Sequence, residues 1–173
     1  FALGLAQSLI ATSRYDRDWV IKNTDLPFLI RLDTLQPLRP EDLDAEYTFS
    51  PPKNVTVLAK GEKVPPGTMH KSQIVAGSMT ETLRSFTVWD GKQGRPLPLS
   101  RDEAGLVVPD IDLEAKKKVR LKDGREVEVQ THFALLASYL EQNMSPAQVE
   151  KVTGVPRAAI EALAKSIADH PET

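Results

Sequence analysis

The stretch KKVRLKDGREVEVQ, residues 117–130, constrains the fold more than any other part of the chain. Apolar residues alternate with charged ones on both sides of Asp123-Gly124, a dipeptide that favours the tight turn of a hairpin. The alternating apolar residues are Val119, Leu121, Val127 and Val129. Because successive side chains of a strand point to opposite faces, the pattern predicts an antiparallel β-hairpin with one apolar face and one solvated face.

Helical periodicity begins directly after this hairpin and continues through residues 131–173. A first apolar stripe consists of Phe133, Leu136, Ala137 and Leu140. Ser145 and Pro146, with Gln148 three residues after the serine, predict the capped start of a second helix, and Gly154 predicts its end. A last helix is predicted from Pro156, with a core face formed by Ile160, Leu163, Ala164 and Ile167.

The N-terminal segment, residues 1–43, predicts two helices and a strand. Ala2, Leu5, Ala6 and Leu9 recur at helical spacing, so FALGLAQSLIA is predicted to be a helix rather than a signal peptide. Asp16 is predicted to cap a second helix that turns Trp19 and Val20 inward. The apolar run LPFLIRL, residues 26–32, predicts a buried strand, and the prolines of QPLRPEDL are predicted to break regular structure after it.

The middle of the chain has two predicted parts, a proline-rich insertion at residues 44–83 and a hairpin region at residues 84–130. Residues 44–83 contain FSPPKN and KVPPGT, and predict an irregular, proline-rich insertion with one strand in NVTVLA. This insertion is expected either to lie across a partner surface or to be flexible. Residues 84–130 are predicted to form hairpins, since SFTVWDGKQGRPLPLS indicates a strand, a glycine turn and an extended return. With residues 131–173 helical, the prediction is an α+β segment.

Composition excludes several classes of site. The 173 residues have a formal net charge of −2, which gives no overall attraction to nucleic acid or to an anionic membrane. They contain no cysteine, so they offer no disulfide, no thiolate nucleophile and no cysteine ligand for zinc or an iron–sulfur cluster. No apolar run approaches the roughly 20 residues of a membrane-spanning helix. The first residue is Phe1 rather than methionine, which suggests a processed chain or an excised piece.

The predicted helix–turn–helix at residues 145–167 raises the possibility of DNA binding. Its second helix would present Arg157, Ala158, Glu161, Ala162 and Lys165 outward. Of these, Arg157 is suited to hydrogen bonding with guanine, whereas Glu161 would place a negative charge beside the DNA phosphates. Acidic residues outnumber basic ones from Ser145 to Thr173. The segment is therefore predicted to pack rather than to read DNA, and the basic run EAKKKVRLKDGR is predicted to be a solvated hairpin face.

The sequence contains no recognisable catalytic or metal-binding motif. His70, His132 and His170 have no mutual motif spacing, and structural roles at helix ends account for the last two. The acid pairs Asp16/Asp18 and Asp110/Asp112 are ordinary in an acidic chain. GSM and GKQG lack the glycine spacing of a phosphate-binding loop. No catalytic or metal residue is predicted here.

Three segments, taken together and in order, resemble one known family. Residues 15–35, YDRDWVIKNTDLPFLIRLDTL, are matched at Thr24, Asp25, Pro27, Phe28, Leu29 and Ile30, whereas Asn23 stands where the family usually has tyrosine. FTVWDGKQGRPLPLSRDEAG and VRLKDGREVEVQTHFALLASYL resemble a later region with a Trp/Tyr-Asp turn, a charged hairpin and a helix. SPAQVEKVTGVPRAAIEALAKSIA, residues 145–168, is matched at Ser145, Pro146, Val149, Thr153, Gly154, Val155, Pro156, Ile160, Leu163, Ala164 and Ala168. The family is that of the molybdopterin oxidoreductase catalytic (alpha) subunits, in the nitrate reductase and nitrite oxidoreductase branch of the DMSO reductase family.

The resemblance implies that the chain is an internal scaffold segment of a larger α/β subunit that transfers an oxygen atom to or from a small oxyanion. The parent subunit would bind molybdenum-bis(molybdopterin guanine dinucleotide) and a [4Fe-4S] cluster. In the family, the cluster cysteines and the molybdenum ligand lie N-terminal to this region, a pterin-contacting Gly-Thr-Asp comes just before Phe1, and further cofactor contacts follow Thr173. No catalytic residue is therefore carried over, and the segment alone is expected to be inactive. Thr24 and Asp25 match a family motif without an assigned chemical role, and turn capping is the alternative.

The resemblance also implies the partners. These would be the remainder of the catalytic subunit, an iron–sulfur beta subunit and a small oxyanion substrate, without nucleic acid and without direct membrane insertion. A periplasmic or membrane-associated complex is favoured over a cytoplasmic one. The alternative hypothesis is an independent α+β protein-interaction module whose hairpins and proline-rich loop dock a partner, and DNA binding is a distant third.

Overall fold

The computed structural model describes residues 1–43, 56–58, 63, 74–76, 86–99 and 110–170. The N-terminal part contains helix α1 (Ala2–Ala11), helix α2 (Arg17–Asn23), strand β1 (Leu29–Arg31) and the short helix α3 (Pro40–Leu43). The strands that follow are β2 (Thr56–Leu58), β3 (Ile74–Ala76), β4 (Phe86–Asp90), β5 (Arg95–Leu99), β6 (Lys116–Arg120) and β7 (Glu126–Thr131). Helices α4 (His132–Asn143), α5 (Pro146–Thr153) and α6 (Arg157–Asp169) come last. The predicted α+β class is confirmed.

Strand β7 is the centre of a three-stranded antiparallel sheet of order β1-β7-β6. The predicted hairpin is confirmed, since Val119 lies opposite Val127 and the turn contains Gly124 with a φ of 87°. Val119, Leu121, Val127 and Val129 are all buried. Lys118 and Glu128 face each other on the solvated side. The alternation in the sequence thus sets which face of the hairpin is covered.

The hairpin of β4 and β5 is confirmed as well. The buried carboxylate of Asp90 accepts hydrogen bonds from the backbone N–H groups of Lys92 and Gln93, both at 2.9 Å, which fixes the turn. Residues 110–112 run beside the hairpin, where the Gly91 N–H donates to the Asp110 carbonyl at 2.8 Å. This contact joins two stretches that the sequence separates.

The predicted insertion at residues 44–83 is described at Thr56–Leu58, Lys63 and Ile74–Ala76. The strand predicted in NVTVLA is present as β2. It pairs in parallel with β3, a strand that the sequence did not predict. The remaining predictions for the insertion, its proline turns and its position on a partner, lie outside the described residues, as does His70.

Two clusters of buried apolar residues lie on opposite sides of β4. One cluster contains Ile21, Phe28, Val88, Leu99, Ile111, Leu113 and Phe133. The other contains Leu29, Leu38, Trp89, Ala115, Val119, Leu121, Val127 and Val129. Neighbouring residues of β4, Val88 and Trp89, belong to opposite clusters, as do Phe28 and Leu29, because strand side chains alternate between faces.

Helix α1 packs against α4, α5 and α6 and joins the start of the chain to its last helices. Gly4 permits a close approach to α5, since a Cβ built at this position would lie 3.0 Å from Val149 Cγ2. Beyond α1, Arg14 Nη1 lies 3.2 Å from Asp169 Oδ1 at the end of α6. The predicted boundaries of α5 are confirmed, with a capping box at Ser145 and a left-handed Gly154.

The orientation predicted for Trp19 is wrong. The Asp16 carboxylate caps α2 by accepting from the Trp19 N–H at 2.8 Å, as the sequence predicted. This cap sets the phase of the helix so that Ile21 is the buried residue, Val20 is half-buried, and Trp19 is 57% exposed. A helix of seven residues covers too little of the core to bury an indole on its flank.

The break predicted at QPLRPEDL is interrupted by the short helix α3. Proline is compatible with the first turn of a helix, where its missing N–H has no intrahelical partner. The Asp42 side chain accepts from the Arg39 N–H at 3.0 Å and stabilises this turn. The prolines predicted irregular structure along this stretch, whereas the structure has a short helical turn at Pro40–Leu43.

The core face predicted for α6 is half wrong. Ile160 and Ala164 are buried, whereas Leu163 is 40% and Ile167 43% exposed. All four residues lie along one apolar stripe of the helix. Among the described elements, α1 and α5 pack against α6 and cover Ile160 and Ala164 but leave Leu163 and Ile167 exposed.

We expect Gly91→Ala to destabilise the fold by about 1–3 kcal/mol, as overpacking does. The new Cβ would lie 2.9 Å from the carbonyl oxygen of Asp110, and a backbone atom cannot move away without disturbing the hydrogen bond beside it. Urea denaturation measures the change. Lys92→Ala, at the next exposed turn position, is the matched control and should stay within about 0.5 kcal/mol of the parent. Equal stabilities for the two variants would contradict the contact.

We expect Asp33→Asn to destabilise the chain at neutral pH and to have little effect in acid. Arg31 donates two hydrogen bonds to the Asp33 carboxylate, at 3.0 and 2.7 Å, and they hold the pKa of Asp33 below its ordinary value of 3.8. A lowered folded-state pKa gives stability that is present above pH 3.8 and is lost as the pH falls through the folded value. Denaturation at several pH values tests this. Glu141→Gln, at an exposed position, should not reproduce the pH dependence.

Candidate functional site

The first matched segment ends in a turn that Thr24 organises. The Thr24 hydroxyl donates to the Val20 carbonyl at 2.7 Å and accepts from the Leu26 N–H at 3.2 Å. One side chain thereby satisfies a carbonyl at the end of α2 and an amide of the following loop. The hydroxyl is occupied by backbone groups, so its observed role is turn capping.

The same turn is attached to the start of α4. Backbone hydrogen bonds run from His132 N to the Phe28 carbonyl at 3.0 Å and from Phe133 N to the Leu26 carbonyl at 2.9 Å. His132 Nδ1 lies 3.1 Å from the Asp25 carbonyl oxygen and 3.9 Å from Asp25 Oδ2. Because a carbonyl oxygen only accepts, the shorter contact requires the proton on Nδ1. We call this contact between residues 24–28 and the α4 N-terminus the turn–helix junction.

The turn–helix junction brings together one histidine and one aspartate that the sequence analysis considered separately. Their side chains are 33% and 64% exposed, and the imidazole is anchored to backbone rather than to a nucleophile. The neighbouring Thr131 hydroxyl accepts from Ala134 N at 3.0 Å and donates to the Leu113 carbonyl. The hydrogen bonds at this junction position chain segments relative to one another.

The other candidate groups are dispersed. Asp16 caps α2, Asp112 Oδ1 accepts from Glu114 N at 3.0 Å, and His170 follows the end of α6. Across the described ranges, no three His, Asp or Glu side chains meet in a group that could hold a metal ion. In the same ranges, no helix has the length and apolarity required to cross a membrane.

A polar crevice lies beside Tyr15, and the sequence did not predict it. Its volume is about 320 Å³, and it is lined by Ser13, Tyr15, Arg17, Asp112, Leu113 and Glu114. Burial raises the pKa of the Tyr15 phenol and the Glu114 carboxylate raises it further, so the hydroxyl stays protonated at neutral pH. The Arg17 guanidinium donates to the Ile111 carbonyl. No local pattern could reveal this crevice, because its walls are distant in sequence.

In the α5–α6 unit, the arginine that could hydrogen-bond to guanine is paired with an acidic residue. The residues predicted to face outward are exposed, but Arg157 Nε donates to Glu161 Oε1 at 2.7 Å. This hydrogen bond raises the pKa of Arg157. Arg157, the residue suited to hydrogen bonding with guanine, is thus paired with Glu161 on the next turn of the helix. The unit packs against α1, which agrees with the predicted packing role.

The lysines of the basic run on β6 are exposed, as predicted, and Lys116 and Lys118 lie on the solvated face of the strand, whereas Lys117 lies on the same face as Val119. Lys116 Nζ donates to the Ser138 hydroxyl at 3.2 Å, and Lys118 Nζ lies 3.8 Å from Glu128 Oε1. Lys117 Nζ lies 5.5 Å from the centroid of the Trp89 ring. Lysines on an edge strand also discourage pairing with another chain.

Comparison with known proteins gives one distant similarity. No protein-family model matches the chain. The chain is 28% identical over 173 residues to the perchlorate reductase subunit alpha of Dechloromonas aromatica (strain RCB). The match covers 96% of this chain and 17% of that protein, so the chain spans a small part of its relative's length.

We expect Thr24→Val to lower the free energy of unfolding by about 1–2 kcal/mol, because it removes both hydrogen bonds of the hydroxyl without changing the side-chain shape. Urea denaturation measures the loss. Thr24→Ser keeps the hydroxyl and should retain most of the stability. A valine variant as stable as the parent would show that the two hydrogen bonds of the hydroxyl contribute nothing measurable.

Proposed function

We propose that this chain is a scaffold segment of the catalytic alpha subunit of a molybdenum oxidoreductase of the nitrate reductase or nitrite oxidoreductase type. The observation that carries the proposal is the similarity to a perchlorate reductase alpha subunit along 96% of the chain. The parent subunit would transfer an oxygen atom to or from a small oxyanion, and an iron–sulfur beta subunit would exchange electrons with it. Nitrate, nitrite, chlorate, selenate and perchlorate are the candidate oxyanions.

This segment offers no cysteine ligand, and its described residues offer no metal-binding group, for the cofactors of such an enzyme. The 173 residues contain no cysteine, so iron–sulfur clusters would be held elsewhere in the parent polypeptide. The described residues gather no metal-binding group either. Molybdenum-bis(molybdopterin guanine dinucleotide) would supply the oxygen-transfer chemistry, and we assign none of its ligands here. What this chain supplies is the relative position of its helices and strands.

The turn–helix junction supports a scaffold role. It connects the first matched segment, through Asp25 and Phe28, to the second matched segment at His132. Helix α1 packs against α4 of the second segment and against the α5–α6 unit of the third segment. Segments that resemble the family in sequence order are therefore packed into one unit.

An independent α+β interaction module is the second candidate. Two buried clusters and a hairpin with matched faces are features that a separately folding domain also has. Such a module would exist as a 19.1 kDa protein without a metal. The two candidates thus differ in the size and metal content of the native polypeptide.

The test is molybdenum analysis of the native polypeptide, resolved by size. Extract is fractionated, and the tryptic peptide AAIEALAK, residues 158–165, is followed by mass spectrometry. We expect the peptide to co-elute with molybdenum in a chain far larger than 19.1 kDa. Depletion of the polypeptide with an antibody should remove the molybdenum from the same fractions. A metal-free peptide at 19.1 kDa would refute the proposal and leave the interaction module.

A further inference from the structure

Helix α6 has two exposed faces of different chemistry. Its charged residues, Arg157, Glu161, Lys165 and Asp169, are four apart and form one stripe. A second stripe is uncharged and has the i, i+3, i+4, i+7, i+8 spacing of a helix face that contacts a core. It consists of Ala159, Ala162, Leu163, Ser166 and Ile167. We call this second stripe the uncharged face of α6.

The uncharged face is exposed although its pattern is that of a covered one. Every one of its five residues is exposed in the structure, and Leu163 and Ile167 retain 40% and 43% of their surface. The adjacent Ile160 and Ala164 are buried. The two aliphatic side chains continue the buried stripe sideways, beyond the area that the other described elements cover. Ala159, Ala162 and Ser166 beside them are small, so another helix could approach closely.

We propose that the uncharged face of α6 docks an apolar helix from the part of the same polypeptide that lies outside these 173 residues. This inference rests on the proposed function. The chain spans 17% of the reductase subunit to which it is similar, so a polypeptide of that kind has ample chain to cover the face. An apolar helix is the matching partner, because the face has no charge with which to bind an ionic one.

A second copy of the chain fits the face less well. A stable interface between separate proteins buries about 800 Å² on each partner. Two half-exposed aliphatic side chains and three small residues on one helix provide far less area. A contact within one polypeptide needs less area, because covalent linkage removes much of the entropic cost of association.

The test compares two cysteine variants of the full native polypeptide. Ser166→Cys places a thiol on the uncharged face, and Ala158→Cys, the control, places one beside the charged stripe; both positions are exposed in the structure. The folded polypeptides are labelled with a maleimide, and each site is quantified by peptide mass spectrometry. We expect labelling at position 166 to be at least about tenfold slower than at 158, because a covered thiol reacts only after local opening.

The outcomes separate the docking proposal from the proposed function. Both variants must first elute like the parent polypeptide with the same molybdenum content. Equal labelling in a large, molybdenum-containing chain would overturn the docking proposal alone. Protection at position 166 that disappears on dilution would identify a second copy as the occupant and overturn it as well. A native polypeptide of 19.1 kDa would refute both proposals, since no further chain would exist to dock.

Discussion

The pairing of β7 with strands on both of its sides is the interaction on which the rest of the structure depends. β6 precedes β7 through a tight turn, whereas β1 comes from near the start of the chain. Leu29 lies opposite Thr131, and His132 begins α4 at the next residue. The same register therefore places the N-terminal turn on the first turn of α4. Leu29, Val119, Val127 and Val129 of these three strands then belong to the same core cluster.

Polar side chains in this fold mainly complete the backbone. Asp16, Asp90, Thr24, Thr131 and Ser145 each accept from backbone N–H groups at a turn or a helix start. Buried and terminal backbone groups are costly when left unpaired, so such caps fix where each element begins and ends. These are residue types that often act in catalysis. Here their hydrogen bonds hold the chain in place.

Apolar side chains are covered in the β6–β7 hairpin but are partly uncovered on helix α6. Residues of the β6–β7 hairpin follow the simple rule that alternating apolar side chains are buried and charged ones are exposed. Helix α6 departs from it, because Leu163 and Ile167 have the spacing of core residues without a cover among the described elements. Trp19 on α2 is likewise exposed. Under the proposed function, further chain of the same polypeptide would cover the exposed residues of α6.

The sequence by itself determined the local structure. The Asp123-Gly124 hairpin, the β4–β5 hairpin, the Asp16 cap and the ends of α5 follow from residues a few positions apart, since turn and cap energetics act at short range. The absence of cysteine likewise excluded cluster ligands directly. The tertiary structure decided the rest: that Asp25 meets His132, that Tyr15 and Glu114 border one crevice, and that Ile21 rather than Trp19 is buried. These outcomes depend on which distant elements cover a given face, and local periodicity shows that a face is apolar without showing what covers it.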